Sequence, residues 1–343
     1  LFLLSFIIFS IIVYTKNIIL IHILEMNKLM NKILHFFKKQ LRSYKKFSKW
    51  TKILFWVMVL AFIFIFTDNC SRRKEGFAQM EKYVLKRNDS IYDEFYVNIY
   101  DDLVYNTVKD KFEANEIVRA TKLGNNPNTI GLDVGCGGGH HVHLLNMAGI
   151  ETHGLDLSPA MINKAKETYP KWVFDQGNVL ESMKYPGNTF NLMTCLYFTI
   201  YYIEDKQLFF KNCNQWLKPG GFLVVHLVNR DTFDPILPAA DPLHLVSPQK
   251  YAEKRITNSL VKFKNFQYKA NFKLKKEDNV AFFDETFKDD ASGHIRQNIH
   301  TFHMPTQKHI LSLATENGFE LLGKIDLVSC QYENQYLYIL KKK

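Results

Sequence analysis

From residue 129 onward, short apolar runs and longer segments with one apolar face take turns along the chain. The runs at 129–134, 151–155, 172–176, 190–195 and 221–228 have the length and composition of buried strands, the last after an "LKPGG" turn. The stretches at 140–148, 160–168 and 206–216 space their apolar residues three and four apart, as helices do. This alternation predicts an α/β fold with a doubly wound parallel sheet, whose ligands sit beyond the carboxyl ends of the strands.

The flanks read differently. Residues 90–122 carry Tyr92, Phe95, Tyr96, Tyr100, Leu103, Val104, Phe112, Ile117 and Val118 at helical spacings, which predicts two helices. Beyond Asn229 the pattern breaks into an insertion, 230–304: a proline-punctuated loop "DPILPAADPLH", then three segments that alternate like antiparallel strands. A helix over 306–317, ended by Gly318, and two apolar runs, "ELLGKIDLV" and "QYLYILKK", predict a closing antiparallel pair.

The N-terminal region, 1–74, departs from a globular pattern. Residues 53–66, "ILFWVMVLAFIFIF", carry no charge and with their margins approach the roughly 17 to 25 residues that cross a bilayer. A buried core helix is the alternative, but no amphipathic stripe or cap accompanies the run. We read 53–67 as a membrane anchor and 75–343 as the globular domain. An earlier apolar stretch, 1–24, is broken by Lys16, and Met26 or Met30 is a plausible start; if the stretch is native it makes the first arm of a membrane hairpin. No small-residue cleavage site follows either stretch.

Charge follows the same division. Residues 1–74 hold thirteen Lys/Arg against Glu25 and Asp68, a net +11, so the remainder carries −1 of the chain's +10. A near-neutral globular part gives no reason to expect a nucleic-acid partner. The basic stretch before the apolar run would leave the N-terminal side in the cytoplasm. Five cysteines, Cys70, Cys136, Cys195, Cys213 and Cys330, without a C-x-x-C pair, read instead as reduced thiols. The chain is therefore expected to be membrane-anchored with its globular part facing the cytosol.

Candidate chemistry enters at "LDVGCGGGHH", 132–141, where a strand meets a helix across a turn of glycines. A G-x-G-x-x-G fingerprint begun at Gly135 or Gly137 would need glycine where His140 or Val142 stands, and no G-K-[ST] follows. What remains is D-x-G-x-G-x-G, and it resembles the first motif of class I S-adenosylmethionine-dependent methyltransferases. "GLDLSPAMINKAK", "FNLMTCLYFTIYYIED" and "WLKPGGFLVVHLV" resemble that family's later motifs in order and spacing, so that the resemblance covers roughly 90–343. It implies a Rossmann-like, mostly parallel seven-stranded sheet with an antiparallel β insertion after the fifth strand, and S-adenosylmethionine as cofactor.

Carried over position by position, the resemblance places Asp156 against the two ribose hydroxyls, which a carboxylate can accept together. Asp133 would orient loop amides or the methionyl amine, with Gly135, Cys136, Gly137 and Gly139 forming the turn. Leu157 and Met161 would cover the adenine, the Val179 amide would meet its edge, and Cys195 and Leu196 would line the cofactor from the fourth strand. Asn178 stands where the family commonly has an aspartate; it can still accept from the adenine amine through its carbonyl oxygen. Tyr92, Tyr96 and Tyr100, beside Tyr105, resemble an aromatic lid.

Methyl transfer needs mainly alignment and exclusion of water, because the sulfonium methyl is already activated. A base is needed only if the acceptor must lose a proton, and Tyr201, Tyr202 and His226 lie near the strand ends. Core packing is the competing reading for His226, as it is for His140 and His141, and no metal site is expected. The N-P-P-Y of amino-methylating DNA enzymes is absent, the chain having Thr194, Cys195, Leu196 and Tyr197 there. Methyl transfer to a small molecule, including a lipid or quinone at a bilayer, is the leading expectation. The alternative is a non-catalytic S-adenosylmethionine-binding module that is membrane-tethered and serves a protein partner.

Overall fold

The computed structural model describes residues 48–50, 56, 81–124, 126, 128–238, 249 and 252–343. The chain divides into two units, Leu1–Gly76 and Phe77–Lys343, and the second contains every strand and both sheets. The anchor read at 53–67, apart from Trp56, and nearly all of 1–74 lie outside the described residues. Among the described residues no helix is long and apolar enough to cross a membrane.

The alternating segment forms β2 (Ile130–Val134), α3 (His140–Met147), β3 (Glu151–Asp156), α4 (Pro159–Thr168), β4 (Phe174–Gln176), β5 (Phe190–Cys195), α5 (Thr199–Tyr202), α6 (Lys206–Trp216) and β6 (Leu217–Val228). Before it come β1 (Tyr83–Arg87), α1 (Glu94–Val104) and α2 (Thr107–Thr121). After it come β7 (Asn258–Lys262), β8 (Phe266–Lys275), β9 (Val280–Asp289), β10 (Ile295–His303), α7 (Gln307–Glu316), β11 (Phe319–Asp326) and β12 (Gln335–Lys342). Side chains fix several helix starts by accepting orphan amides: Asp93 from Tyr96, Asn106 from Val108 and Lys109, Ser158 from Met161, and Thr306 from His309. Pro159 occupies the first turn of α4, where its missing N–H costs nothing.

The main sheet has seven strands in the order β11-β12-β6-β5-β2-β3-β4. β2 pairs in parallel with both β3 and β5, β5 with β6 and β3 with β4, while β12 runs antiparallel between β6 and β11. The sheet is thus mixed rather than all parallel. The chain builds outward from β2 to β4 and then returns to β5 on the other side, so the carboxyl ends of β2 and β5 form a switch point, where a cleft opens. The "LKPGG" segment is not a free turn as expected: β6 already pairs at Leu217 with Phe190, and a register shift carries it to the Leu192–Phe222 pair.

The insertion builds a second, five-stranded sheet in the order β1-β10-β9-β8-β7. Its antiparallel strands follow the expectation; β1, which joins β10 in parallel, does not. The buried face of this sheet carries Tyr268, Phe272, Phe283, Phe287 and Phe302, and also Glu285, Arg296, Asn298 and His300. Buried polar groups at such density require partners, and Arg296 finds them in Asp93 and the Ile91 carbonyl, which ties the second sheet to the start of α1.

Candidate active site

The glycine turn is shaped by different neighbours at each position. A Cβ on Gly135 would lie 2.4 Å from the Thr199 side chain, and one on Gly139 would lie 2.7 Å from the Phe174 ring. Only at Gly137, with φ +52°, would a Cβ meet nothing within 4 Å. Gly135 and Gly139 thus accommodate the protein's own side chains, and Gly137 faces the open cleft.

Asp156 ends β3 directly beneath the turn. Its Oδ2 accepts the Gly137 amide at 2.9 Å and its Oδ1 accepts the Ser158 amide at 2.9 Å. Burial raises its carboxyl above the ordinary value, and the two amides oppose that shift. Around it lies a cleft of about 590 Å³ lined also by Leu157, Met161, Asn178, Val179 and Leu180. Its charged lining residues are Asp89, Asp156 and Glu204, with no Lys or Arg among them. A phosphorylated nucleotide would meet unopposed like charge here, whereas a nucleoside carrying a sulfonium and an ammonium would be complemented. Asn178 uses its carbonyl oxygen to accept the Leu180 amide at 2.9 Å. Leu157 stands partly exposed at the rim.

A second cavity, about 170 Å³, adjoins the cleft. Tyr92, Tyr100, Gly135, Gly137, Thr199 and Tyr202 line both. The rings of Tyr92, Tyr96 and Tyr100 meet edge to face, with centroids 5.5 to 6.1 Å apart. Asp133, Cys136, Leu196 and His226 line this smaller cavity, as does Tyr96. Cys195, Gly139 and Tyr201 line neither. Tyr201 is buried with its hydroxyl accepting the Val228 amide at 2.8 Å, which removes it from the candidate bases.

The polar end of the smaller cavity is a buried charge network. Asp133 accepts from Thr194 Oγ1 at 2.6 Å, and burial pushes its carboxyl up to about 6 against the opposing charge of His141. His141 Nε2 lies 3.0 Å from Glu113, and Lys109 Nζ lies 2.7 Å from the other Glu113 oxygen. Burial acts to raise the Glu113 carboxyl, but Lys109 and His141 outweigh it and hold the group at about 2. Burial and then Lys109 push His226 down to about 4, and its Nδ1 is held on the Tyr197 carbonyl. Asp110, Glu113 and His141 place ligand atoms within 4.8 Å of one another, a grouping the sequence did not disclose, and the Lys109 ammonium already supplies a cation to it.

Sequence reasoning also missed a chain of hydrogen bonds reaching in from the second sheet. Tyr92 donates to Tyr202 at 2.8 Å, Tyr202 is bonded to His300 Nδ1, and His300 Nε2 lies 2.7 Å from Glu285.

Residues 132–225 match the family model described as a methyltransferase domain. Over 105 residues the chain is 31% identical to phosphoethanolamine N-methyltransferase of Plasmodium falciparum, covering 29% of this chain and 39% of that protein. Over 103 residues it is 32% identical to ubiquinone biosynthesis O-methyltransferase of Coxiella burnetii, covering 29% and 44%. The chain thus spans about two fifths of the length of the curated relatives it matches. A S-adenosylmethionine-dependent methyltransferase from Clostridium acetobutylicum shares the fold, with a TM-score of 0.54 and 17% identity over 72% of this chain and 98% of that one.

Proposed function

We propose, from the class I S-adenosylmethionine-dependent methyltransferase domain that residues 132–225 form, that the protein transfers a methyl group from S-adenosylmethionine to a compact small molecule. The observation that carries this reading is the pair of adjoining cavities with Tyr92, Tyr100, Gly135, Gly137, Thr199 and Tyr202 in their common wall. One cavity suits the nucleoside and the other the acceptor, so the reacting atoms meet where those walls join.

When bound, the cofactor supplies an activated methyl group on a positively charged sulfur. The chain's part is placement. Asp156, with lone pairs left after the Gly137 and Ser158 amides, takes the ribose hydroxyls. Met161 and Leu157 cover the base, and Val179 and Asn178 meet its edge. Asp133 and Leu196 face the methionyl end from the smaller cavity. The faces and edges of Tyr92, Tyr100 and Tyr202 exclude water, and ring faces attract the sulfonium electrostatically.

The proposal includes the membrane tether at 53–67, a cytosolic orientation, and a lipid or quinone among the possible acceptors; the support is the uncharged apolar run and the reduced-cysteine pattern. Incubating the full chain with methyl-labelled S-adenosylmethionine and fractionated small molecules tests the activity. Label in a small-molecule fraction is expected, and label in none would refute it. Resistance of the expressed chain to alkaline extraction from membranes tests the tether.

A further inference from the structure

We infer that His300 takes the proton released during methyl transfer, acting through Tyr202, and that the acceptor presents a hydroxyl on a single aromatic ring. This inference rests on the methyl-transfer reading above and brings the second sheet into it.

Glu285 on β9 and His300 on β10 stand on the buried face of that sheet. The Glu285 carboxylate accepts from Tyr268 Oη at 2.8 Å, from Asn298 Nδ2 at 3.2 Å and from His300 Nε2 at 2.7 Å. A carboxylate offers only acceptors, so His300 carries a hydrogen on Nε2, and in its neutral form it turns a lone pair on Nδ1 toward the Tyr202 hydroxyl. Tyr202 in turn receives the Tyr92 hydroxyl at 2.8 Å. Every hydrogen bond therefore points from the cavity wall toward Glu285. Burial alone would raise the Glu285 carboxyl, but the positive charge that His300 carries once protonated, and the hydrogen bonds from His300, Tyr268 and Asn298, bring it below the ordinary value, so Glu285 is suited to hold an imidazolium beside it.

An apolar pair would fill the same space at lower cost, since an ionised group inside a sheet must first be stripped of water. The arrangement makes sense where a proton must arrive. Tyr202 lines both cavities and His300 lines the smaller one. The other histidines of that cavity wall, His140, His141 and His226, are less suited; His140 has both ring nitrogens engaged, by the Tyr169 hydroxyl and by Asp101. His226 is pushed down to about 4 by burial and Lys109 and already engages the Tyr197 carbonyl. His141 sits between Asp110 and Glu113, which keep a proton on it. The titratable groups facing His300 are Glu285 of the second sheet, Tyr92 and Tyr96 of the lid region, and Tyr202, with Arg296 beyond Asn298.

The aromatic ring follows from the lining of the cavity. Apart from the residues that face the methionyl end, the cavity has Tyr96, Phe198, Phe283 and Phe302 in its walls, rings that pack favourably on the edge or face of a flat aromatic guest. A phenolic hydroxyl ordinarily titrates near 10, so it must lose its proton as it reacts. The acceptor oxygen forms its bond to the methyl carbon, the carbon–sulfur bond breaks with its electron pair staying on sulfur, and the hydroxyl proton passes to Tyr202 as Tyr202 passes its own to His300 Nδ1. The products are a methyl ether, a thioether and an imidazolium beside Glu285, and the imidazolium then releases its proton to water.

The test uses 4-nitrophenol as the probe, bound to the full-length protein saturated with S-adenosylhomocysteine. Its phenolate absorbs visible light, so the pH midpoint of the bound dye is read directly. The dye is expected to ionise about one pH unit lower on the natural protein than on H300Q or E285Q, a tenfold change in the ionisation ratio. Y202F, which keeps His300 but cuts the link, should behave like H300Q. Y83F, whose hydroxyl bonds Gln297 on the outer side of the same sheet, should keep the natural midpoint. Equal midpoints in the natural protein and Y202F, with S-adenosylhomocysteine affinity retained, would overturn the inference, and so would failure of the dye to bind the loaded protein. Where H300Q or E285Q lacks a thermal unfolding transition, Y202F decides. Failure of the natural protein to bind S-adenosylhomocysteine at all would instead refute the methyl-transfer reading on which the inference stands.

Discussion

Replacing Asp156 with Ala is the sharpest perturbation of the cofactor cleft. In the free protein the carboxylate already accepts the Gly137 and Ser158 amides. Two lone-pair positions remain for the ribose hydroxyls. Hydrogen bonds to a charged group contribute roughly 1.5 to 3 kcal/mol each, so two would place the loss at about 3 to 6 kcal/mol. The amides freed by the substitution recover part of this by bonding water in an open cleft, which favours the lower end. An expected loss of about 3 kcal/mol corresponds to ~150-fold weaker binding. Asp156→Asn should fall between, because its NH2 must face one of two amide donors or a hydroxyl. Isothermal titration with S-adenosylhomocysteine at neutral pH measures both, and thermal melting confirms that the variants fold. An Asp156→Ala affinity within about threefold of the natural value would refute the assignment of the cleft.

The glycines should separate stability from binding. Gly135→Ala forces a Cβ to 2.4 Å from Thr199 at φ +70° and should lower the melting temperature markedly, whereas Gly137→Ala meets only open space and should cost about 1 to 2 kcal/mol for its left-handed backbone while abolishing cofactor binding. Asp133 has a folded value of about 6, raised above the ordinary 3.8 by burial, so its contribution to stability is present at low pH and is lost as pH rises through 6. Asp133→Asn should therefore stabilise the free protein by up to about 3 kcal/mol at pH 8 and by little at pH 4, read by melting at both. The same variant should bind cofactor more weakly at neutral pH, measured by the same titration. Glu113 shows the opposite sign: held at about 2 by Lys109 and His141, it stabilises above its ordinary 4.5, and that contribution is lost as pH falls toward 2. Glu113→Gln should cost about 3 kcal/mol at pH 7 and much less near pH 2, and denaturant melts at the two pH values check it.

What was legible in the chain, and what was not, divides along physical lines. The buried strands β2 and β5 announce themselves because both faces are covered, which leaves them short and rich in apolar residues whatever their partners are, whereas β3, ETHGLD, is legible mainly by its place between two helices. The placement of Asp156 at a strand end and of Gly137 in the turn was legible because both are local features of the chain. β1 was not: its five residues alternate between exposed and half-buried, and its place is set by pairing with a strand more than two hundred residues away. His300 and Glu285 were hidden for a related reason, since the register of β9 against β10 brings them together and no spacing rule states it. A signal was present. Arg296, Asn298 and His300 occupy alternate positions of "IRQNIHTFH" with Phe302, which puts three polar side chains on the face that the aromatic residues bury.

That division bears on how far the acceptors of known relatives inform this chain. The family match ends at residue 225. It contains the glycine turn, Asp156, Asn178 and the switch point, the parts that hold the cofactor largely through backbone and strand ends. The smaller cavity is closed from both sides of that boundary: Leu196, Phe198 and Tyr202 lie within the matched segment, Tyr92, Tyr96 and Tyr100 precede it, and Phe283, His300 and Phe302 follow it. The lining of the smaller cavity is thus drawn only in part from the matched stretch. A match over 132–225 therefore covers only part of the wall that an acceptor would meet. The chain Tyr92–Tyr202–His300–Glu285 joins the matched segment, through Tyr202, to the lid and the second sheet, so the proton relay inferred above needs residues from both sides of that boundary.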